Sequence, residues 1–460
     1  MAEQIPQELS YLRKEVLLLR AENAQLKGEI VSLKADNISL SLQLEQRRVK
    51  KTSNNSSLPP SQDIARKNKS LRAVSDKPVG GQVGHEGTTL LFSETPTAIE
   101  NLIPAYCNNC GTSLASEEGV FTARRQVFDI PPVAISCKEY RQFSKQCPCC
   151  NNRQQVGFPK SVTNYVQYGE NIQAMAVYNW QYQYLPFKRL QQWFKDIFGL
   201  RISKGTLENM IRKVANRMLT AYQQIQQRIA IANCVGADET GIAVNGVKNW
   251  IWVWQNNRLT FLACSTSRGS KTIEALFPKG FLNAVLVSDR WKAQLATHAA
   301  GHQLCLAHLL RDINYIMEVE ANCTVAFRLK VLLQKSITHK HDFIESSIDN
   351  ETCKSMEKEL DVLLEEEINK LTNPYTATLQ KSLLRYRNYL FQFLYYKEVP
   401  FENNASERSI RMVKVKQKVS GCFKSLQDAY CIIKSVGDTA IKNGATIFCT
   451  IKLAVDNVAG

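Results

Sequence analysis

The stretch IANCVGADETGIAVNGVKNWIWVWQNNRLTFLACSTS, Ile231–Ser267, decides the architecture. Its apolar run Ile231–Ala237 ends at Asp238, and Asn245–Gly246 is the dipeptide of a type I′ hairpin turn, whose two central residues need positive φ. Strands are expected near Lys248–Trp254 and Leu259–Ser265, which completes a three-stranded meander. A helix is expected around Lys271–Phe277, then a short buried strand at Ala284–Val287 that runs into Asp289. HQLCLAHLLRDI (His302–Ile313) supplies a further strand and helix. A meander followed by strand–helix alternation implies a mixed sheet with helices on its faces.

On this reading Asp238 and Asp289 terminate two buried strands, where a bare carboxylate is costly unless it is paired or bound to metal. If the strands are neighbours, both carboxylates face one point. Hard divalent cations such as magnesium take carboxylates together with phosphate oxygens. Two such ions activate a water or a 3′-hydroxyl and stabilise the leaving oxygen of an in-line displacement. A third carboxylate would complete the cage.

FENNASERSIRMVKVKQKVSG, Phe401–Gly421, places one acid, Glu407, ahead of Arg408, Arg411, Lys414, Lys416 and Lys418. The plain reading makes Asn404 the helix N-cap and Glu407 its capping-box partner, or the i,i+4 partner of Arg411. The segment between Asp289 and Glu407 contains EKELDVLLEEEINKL, whose spacing suggests an inserted helical region with its acids on a solvated face.

Upstream, Leu12, Leu19, Leu26, Leu33 and Leu40 recur every seven residues, with Leu9, Val16, Asn23, Ile30, Asn37 and Leu44 in the companion seam. This is an a/d heptad, and asparagine at a (Asn23, Asn37) costs stability while fixing register and favouring a parallel dimer. A basic linker follows, Arg47–Arg72, with Pro59–Pro60 inside it. CNNC and CPCC then supply Cys107, Cys110, Cys147, Cys149 and Cys150. Two CxxC knuckles suit tetrahedral thiolate coordination of a structural zinc by Cys107, Cys110, Cys147 and Cys150, with Cys149 an alternative ligand and Cys137 spare. YLPFKRLQQWFKDIFGLRISKGTLENMIRKV (Tyr184–Val214) reads as two helices around Gly199, with Ser203 capping the second. That helix carries Lys204, Thr206, Asn209, Arg212 and Lys213 on its polar side, the arrangement of a helix-turn-helix; an ordinary helical hairpin fits the same residues.

The chain has 460 residues and a formal net charge of +16, with a sequence pI near 9.2, which favours a polyanionic partner. No apolar run is long enough to span a membrane, and Met1–Arg20 lacks the core of a signal peptide. Eight of the 14 cysteines are scattered through the C-terminal two-thirds and read as reduced core residues. The expected organisation is multidomain α+β: coiled coil 1–50, basic linker 51–95, four-cysteine zinc-binding domain 96–160, helical DNA-binding region 161–228, catalytic domain 229–425 with a helical insertion about 318–395, and a helical tail 426–460.

ADETG, SDRW, CLAHLLRDI and ENNASERSIR resemble, in that order, the catalytic segments of the insertion sequence 66 family of DDE transposases. The resemblance extends to the zipper, SNNSSLPPSQD, GGQVGHEG, the paired knuckles and RRQVFDIPP, and so covers nearly the whole chain. It implies an RNase H-like core whose Asp-Asp-Glu triad falls on Asp238, Asp289 and Glu407. Those residues would bind Mg2+ or Mn2+ and catalyse cleavage of element ends and strand transfer to target DNA. Glu407 would enter on the first turn of a helix whose following Arg408, Arg411, Lys414, Lys416 and Lys418 hold DNA phosphates. A homodimer or higher oligomer through the zipper, helper proteins of the same element, and a bacterial cytoplasmic, nucleoid-associated setting are further implications. The chain departs from the family at SDRW, where the family looks more like DGY..Y; Arg290 and Trp291 stand in the Gly and Tyr places. The competing expectation is a catalytically inactive DNA-binding regulator built on the same domains.

Overall fold

A computed structural model describes residues 4–49, 52, 55–56, 90–130, 133–320, 323–343, 350–370 and 372–456. GGQVGHEG, Pro131–Pro132 and all of SNNSSLPPSQD except Asn55 and Ser56 lie outside the described residues, as does most of the expected linker. The chain divides into two units, residues 1–67, 140–196 and 200–460 in one, and 68–139 with 197–199 in the other.

The heptad segment forms one helix, α1 (Gln4–Arg48), of 45 residues. Leu19, Leu26, Leu33 and Leu40 are 50–67% exposed, and Val16, Ile30 and Leu44 are similarly open. Nothing in the described chain covers this stripe. The side chain of Leu12 lies outside the described residues.

A small antiparallel pair, β1 (Ser144–Gln146) and β2 (Arg153–Gln155), brackets the second cysteine knuckle. Four helices follow: α2 (Glu170–Gln181), α3 (Phe187–Phe198), α4 (Lys204–Arg217) and α5 (Leu219–Ala230). As the sequence leads one to expect, Gly199 turns the chain at φ +67°, and the Ser203 hydroxyl caps α4 by accepting from the Thr206 N–H at 3.1 Å.

The sheet is built from β3 (Cys234–Val244), β4 (Val247–Gln255), β5 (Thr260–Ser265), β6 (Phe281–Ser288) and β7 (Ala299–Leu304). Helices α6 (Ser270–Leu276) and α7 (Lys292–Leu295) interrupt its second half. The spatial order is β5-β4-β3-β6-β7: the first three are antiparallel, and β6 and β7 run parallel to β3. The turn between β3 and β4 is Asn245–Gly246, both at positive φ (50° and 80°), as that dipeptide dictates.

One correction concerns Asp238. It does not end its strand, because β3 continues through it to Val244 by pairing with β4, where Asp238 faces Val253. What ends just before it is the parallel ladder to β6, which covers only Cys234–Gly236.

Side-chain alternation buries both sheet faces. Val235, Ala237, Trp252, Trp254, Phe261 and Leu286 form one core with Ile225, Ile229 and Ile273. Cys234, Val285, Val287 and Leu304 point into the other, beneath α8 (Leu306–Val319), α9 (Thr324–Phe343), α10 (Asn350–Glu365), α11 (Pro374–Arg385) and α12 (Gln392–Tyr395). Continuous apolar strands are what a sheet covered on both sides requires. The acids of EKELDVLLEEEINKL are exposed or half-buried, as the sequence reading supposed, and some of them are also paired. Arg387 binds Asp361 through two nitrogens at 2.7 Å each, and Arg328 reaches Glu366 at 2.6 Å. Helix α13 (Asn404–Ser420) then returns to β3 and β4.

The last two helices, α14 (Gln427–Lys442) and α15 (Ile447–Asp456), make up the expected helical tail and pack back on the rest of the chain. Along the outer edge of β5, Ser435 Oγ accepts from the Leu262 N–H at 2.8 Å, and Thr439 Oγ1 from the Thr260 N–H at 3.0 Å. Hydroxyls one helical turn apart thus satisfy an edge that would otherwise present free donors. Helix α14 also packs against α4, and α15 against α2, which embeds the second helix of the expected helix-turn-helix in a helical cluster.

Candidate active site

The β3–β6 register pairs Cys234 with Val285 and Gly236 with Val287. Extended by two residues, it brings Asp238 level with Asp289, just where the ladder stops and the strands part. Asp289 is fixed by the turn that follows β6, its Oδ1 accepting the Trp291 N–H at 2.9 Å. Among the described residues, Asp238 Oδ1 accepts only its neighbour's N–H, that of Glu239, at 2.8 Å.

Glu407 arrives on the first turns of α13, whose N-terminus is held on the same face of β3. The N-cap is Asn403, not Asn404, and its side chain makes no cap bond. Instead Asn403 Nδ2 donates to the Ala237 carbonyl at 2.7 Å, next to Asp238, while its own N–H donates to Cys305 Sγ at 3.2 Å. The helix comes this close because position 236 is glycine. A Cβ there would stand 2.8 Å from Ser406 Oγ and 2.9 Å from Asn403 Oδ1 and Gln255 Nε2. The capping-box role expected of Glu407 is therefore not taken up; its carboxylate faces His308 on α8, with Oε1 3.6 Å from Nε2.

Electrostatics tie the three acids together. Burial pushes the Asp238 carboxyl well above its ordinary range, and the charges of Glu239, Asp289 and Glu407 push it further. Glu239, one residue on, points to the opposite sheet face and is compensated there. Its Oε1 accepts Arg268 Nε at 2.9 Å, and Gln294 Nε2 reaches its Oε2 at 3.3 Å. Arg268 in turn lies 3.8 Å from the ring centre of Trp291 and 4.9 Å from that of Trp250. The tryptophan that departs from the family pattern at SDRW is thus the platform of this arginine, and Arg290 forms an ion pair with Asp312 of α8. Among the described residues no cation comparably compensates Asp238. Among those residues, one oxygen of Glu407, Oε1, is buried without a hydrogen-bond partner. A buried carboxyl without a cation, with further acids near it, is suited to a hard divalent cation.

A family model described as Transposase IS66 family matches residues 165–430, which span the sheet, the three acids and the helices between them. The chain belongs to the IS66 family of transposases. A second model, the zinc-finger binding domain of transposase IS66, matches residues 104–151. No curated protein matches at a significant level. Family membership makes this chain a transposase, a DNA-binding enzyme that cuts and joins DNA.

Within residues 104–151 of the transposase lie two knuckles of the same local design, each described by itself. The Gly111 N–H donates to the Cys107 carbonyl at 2.9 Å with Gly111 at φ +75°; the Asn151 N–H donates to the Cys147 carbonyl at 2.9 Å with Asn151 at φ +61°. Cys150 therefore stands in its knuckle where Cys110 stands in the first. The Thr112 hydroxyl lowers the pKa of the Cys110 thiol, and the backbone N–H groups of Cys150 and Cys149 lower that of Cys147. Thiols held toward their thiolate form are suited to structural zinc, as the zinc-finger match indicates.

The basic residues divide. Arg408, Arg411, Lys414 and Lys418 lie on the outer side of α13, although Lys414 Nζ also donates to the Gly241 carbonyl. Lys416 does not join them. It is 2% exposed, donates to the Trp180 carbonyl at 2.5 Å and sits 4.0 Å from the Trp180 ring centre. On α4, Lys204, Asn209, Arg212 and Lys213 are exposed, and Thr206 is half-buried. Thr206, Asn209 and Lys213 line a cleft of about 320 Å³ that the 161–170 segment closes on its other side. Sequence reasoning missed Asn403, Cys305 and His308. CLAHLLRDI places Cys305 and His308 three apart at a helix start, hence on one face, and that spacing was the available signal.

Proposed function

We propose that this transposase cleaves the ends of its element and joins the 3′-ends to target DNA at a site made by Asp238, Asp289 and Glu407. The observation that carries the reading is that Asp289 and Glu407 lie near enough to raise the carboxyl of a buried Asp238 that no described basic side chain neutralises. The sheet order β5-β4-β3-β6-β7, with the last two strands parallel to β3, is the order of an RNase H-like core and supports the same assignment.

Bound Mg2+ or Mn2+ would supply Lewis acidity and charge neutralisation at the reacting phosphate. The chain's own residues do the rest. Asp238 and Asp289 present oxygens from neighbouring strands, and Asn403 seats the helix that brings Glu407 to them. Arg408, Arg411, Lys414 and Lys418 offer a cationic strip beyond Glu407 for the phosphate backbone. The polar face of α4 offers a second surface, for recognition of the element's end. Residues 96–160 form a zinc-stabilised module, and α1 pairs two copies so that two ends are held at high effective concentration.

The test is a cleavage and strand-transfer assay with labelled element ends and Mg2+. Asp238→Ala, Asp289→Ala and Glu407→Ala should each lose at least about 100-fold in rate, as expected for removal of a principal electrostatic group. End binding should hold within a few-fold. Full activity in any one variant removes that residue from the site. Binding without nicking by the wild type, across Mg2+ and Mn2+, would instead identify a DNA-binding regulator.

A further inference from the structure

Beside the three acids lies a second donor set. Cys305 Sγ, one imidazole nitrogen of His308 and a carboxylate oxygen of Glu407 all lie within 4.8 Å of one another. Cys305 is the N-cap of the 14-residue helix α8 and His308 sits in that helix's first turn, so one short stretch fixes both. Cys305 is 2% exposed, and its sulfur accepts the Asn403 N–H at 3.2 Å. Among the described residues, His308 Nδ1 and Glu407 Oε1 are both buried without a hydrogen-bond partner, and His308 Nε2 faces that Glu407 oxygen.

We propose that Cys305, His308 and Glu407 form a site for a borderline-soft divalent cation of the zinc type, distinct from the magnesium-binding acids but sharing Glu407 with them. Zinc–sulfur and zinc–nitrogen bonds of about 2.3 and 2.0 Å put tetrahedral ligands about 3.3–3.6 Å apart. The His308–Glu407 separation of 3.6 Å already fits, and the sulfur needs only a small approach. A thiolate and an imidazole select zinc over magnesium, which prefers oxygen. Binding releases the thiol proton to solvent and leaves a fourth position for water. The consequence, which rests on Glu407 serving the cleavage site, is that zinc withdraws this carboxylate and inhibits Mg2+-dependent cleavage.

Two measurements on the full chain test this. After equilibrium dialysis against micromolar zinc, the wild type should hold one zinc per chain more than Cys305→Ser or His308→Ala, the knuckle cysteines being intact in all three. Equal zinc content overturns the site, whatever the triad does. In the Mg2+ cleavage assay, added zinc should inhibit the wild type at least 10-fold and Cys305→Ser less than 2-fold, the serine hydroxyl still accepting the Asn403 N–H. Equal inhibition of both overturns the coupling to Glu407. Circular dichroism of each variant confirms that a lost zinc is not a lost fold.

Discussion

The Asn403 side-chain amide donates to the carbonyl of Ala237 over 2.7 Å, so the residue that begins the helix of Glu407 is bonded to the residue that precedes Asp238. Asn403 is 3% exposed and would ordinarily spend its side chain on its own helix. Here the cap is given up to fix a helix on a strand. Asn403→Ala should cost about 1–3 kcal/mol, the range for a buried hydrogen bond lost with one partner left unpaired. Cleavage should fall about 10–100-fold, because a misplacement of about 1 Å is that expensive in a preorganised site. Gly236→Ala should act the same way from the strand side, since its new methyl meets Asn403 and Ser406 at under 3 Å. Thermal melts and cleavage rates check both; a variant with wild-type rates would show that Glu407 is positioned by something else.

The exposed seam of α1 makes its own prediction. Leu26 and Leu33 are 50% and 67% exposed in the single chain, which is costly for a leucine stripe of this length. Leu26→Lys with Leu33→Lys should convert the protein to monomer in sedimentation. Strand transfer should then fall more than end binding, since pairing of ends is the role proposed for the α1 dimer. An unchanged sedimentation coefficient would assign the seam to another partner.

The two cysteine knuckles predict which sulfurs bind zinc. Asn151 repeats the positive φ and the hydrogen bond of Gly111, which places Cys150, not Cys149, in the ligand frame. Cys150→Ser should lower the zinc content by the equivalent that chelation removes from this region, and Cys149→Ser should leave it unchanged. The opposite result would shift the frame by one residue.

Much of this arrangement was legible in the sequence because it rests on local physics. The Asn245–Gly246 hairpin, the Gly199 turn and the Ser203 cap are set by residues next to one another, and all three form as their sequence requires. The places where reading failed depend on contacts between distant segments. Asp238 looks like a strand end because the apolar run stops there, but β4 carries the strand onward. Asn404 looks like a cap because Glu407 follows at capping-box spacing, and Asn403 takes the place because Ala237 is within reach. Lys416 has the same sequence surroundings as Lys414 and Lys418, yet it faces inward beneath Trp180. Burial at a helix–helix contact is not written in charge spacing.

Metal should stabilise the fold through the acids. With the Asp238 carboxyl driven up by burial and by three neighbouring carboxylates, a divalent cation relieves repulsion that folding created. Binding to the folded chain alone contributes RT ln(1 + [L]/Kd), about 2.7 kcal/mol at a hundredfold excess over Kd. Mg2+ should therefore raise the melting temperature of the wild type and barely move that of Asp238→Asn. The variant should also melt higher than the wild type without metal, because it removes one of the crowded charges. A Mg2+ shift that survives in Asp238→Asn would place the ion elsewhere.

Lys416 gives the sharpest pH signature outside the site. Burial lowers its pKa from 10.5 to about 7. Below about pH 7 both the folded and unfolded chains carry the proton, and the folded state bears the full cost of a buried ammonium. Between about 7 and 10.5 the unfolded chain holds a proton that the folded chain has released, so stability rises with pH across that window and levels off above it. Lys340 and Lys442, each lowered to about 8, contribute in the same sense, so the difference between proteins is the quantity to read. Lys416→Met should be more stable than the wild type at about pH 6, by a few kcal/mol at most, and lose that advantage by about pH 10. Because Lys416 lies under Trp180, the variant should keep the salt dependence of DNA binding, whereas Arg408→Ala should lower its slope by about 1. A stability difference that stays flat from about pH 6 to 10 would mean that the Trp180 ring and carbonyl hold the ammonium charged, and that the cation–π contact at 4.0 Å outweighs desolvation.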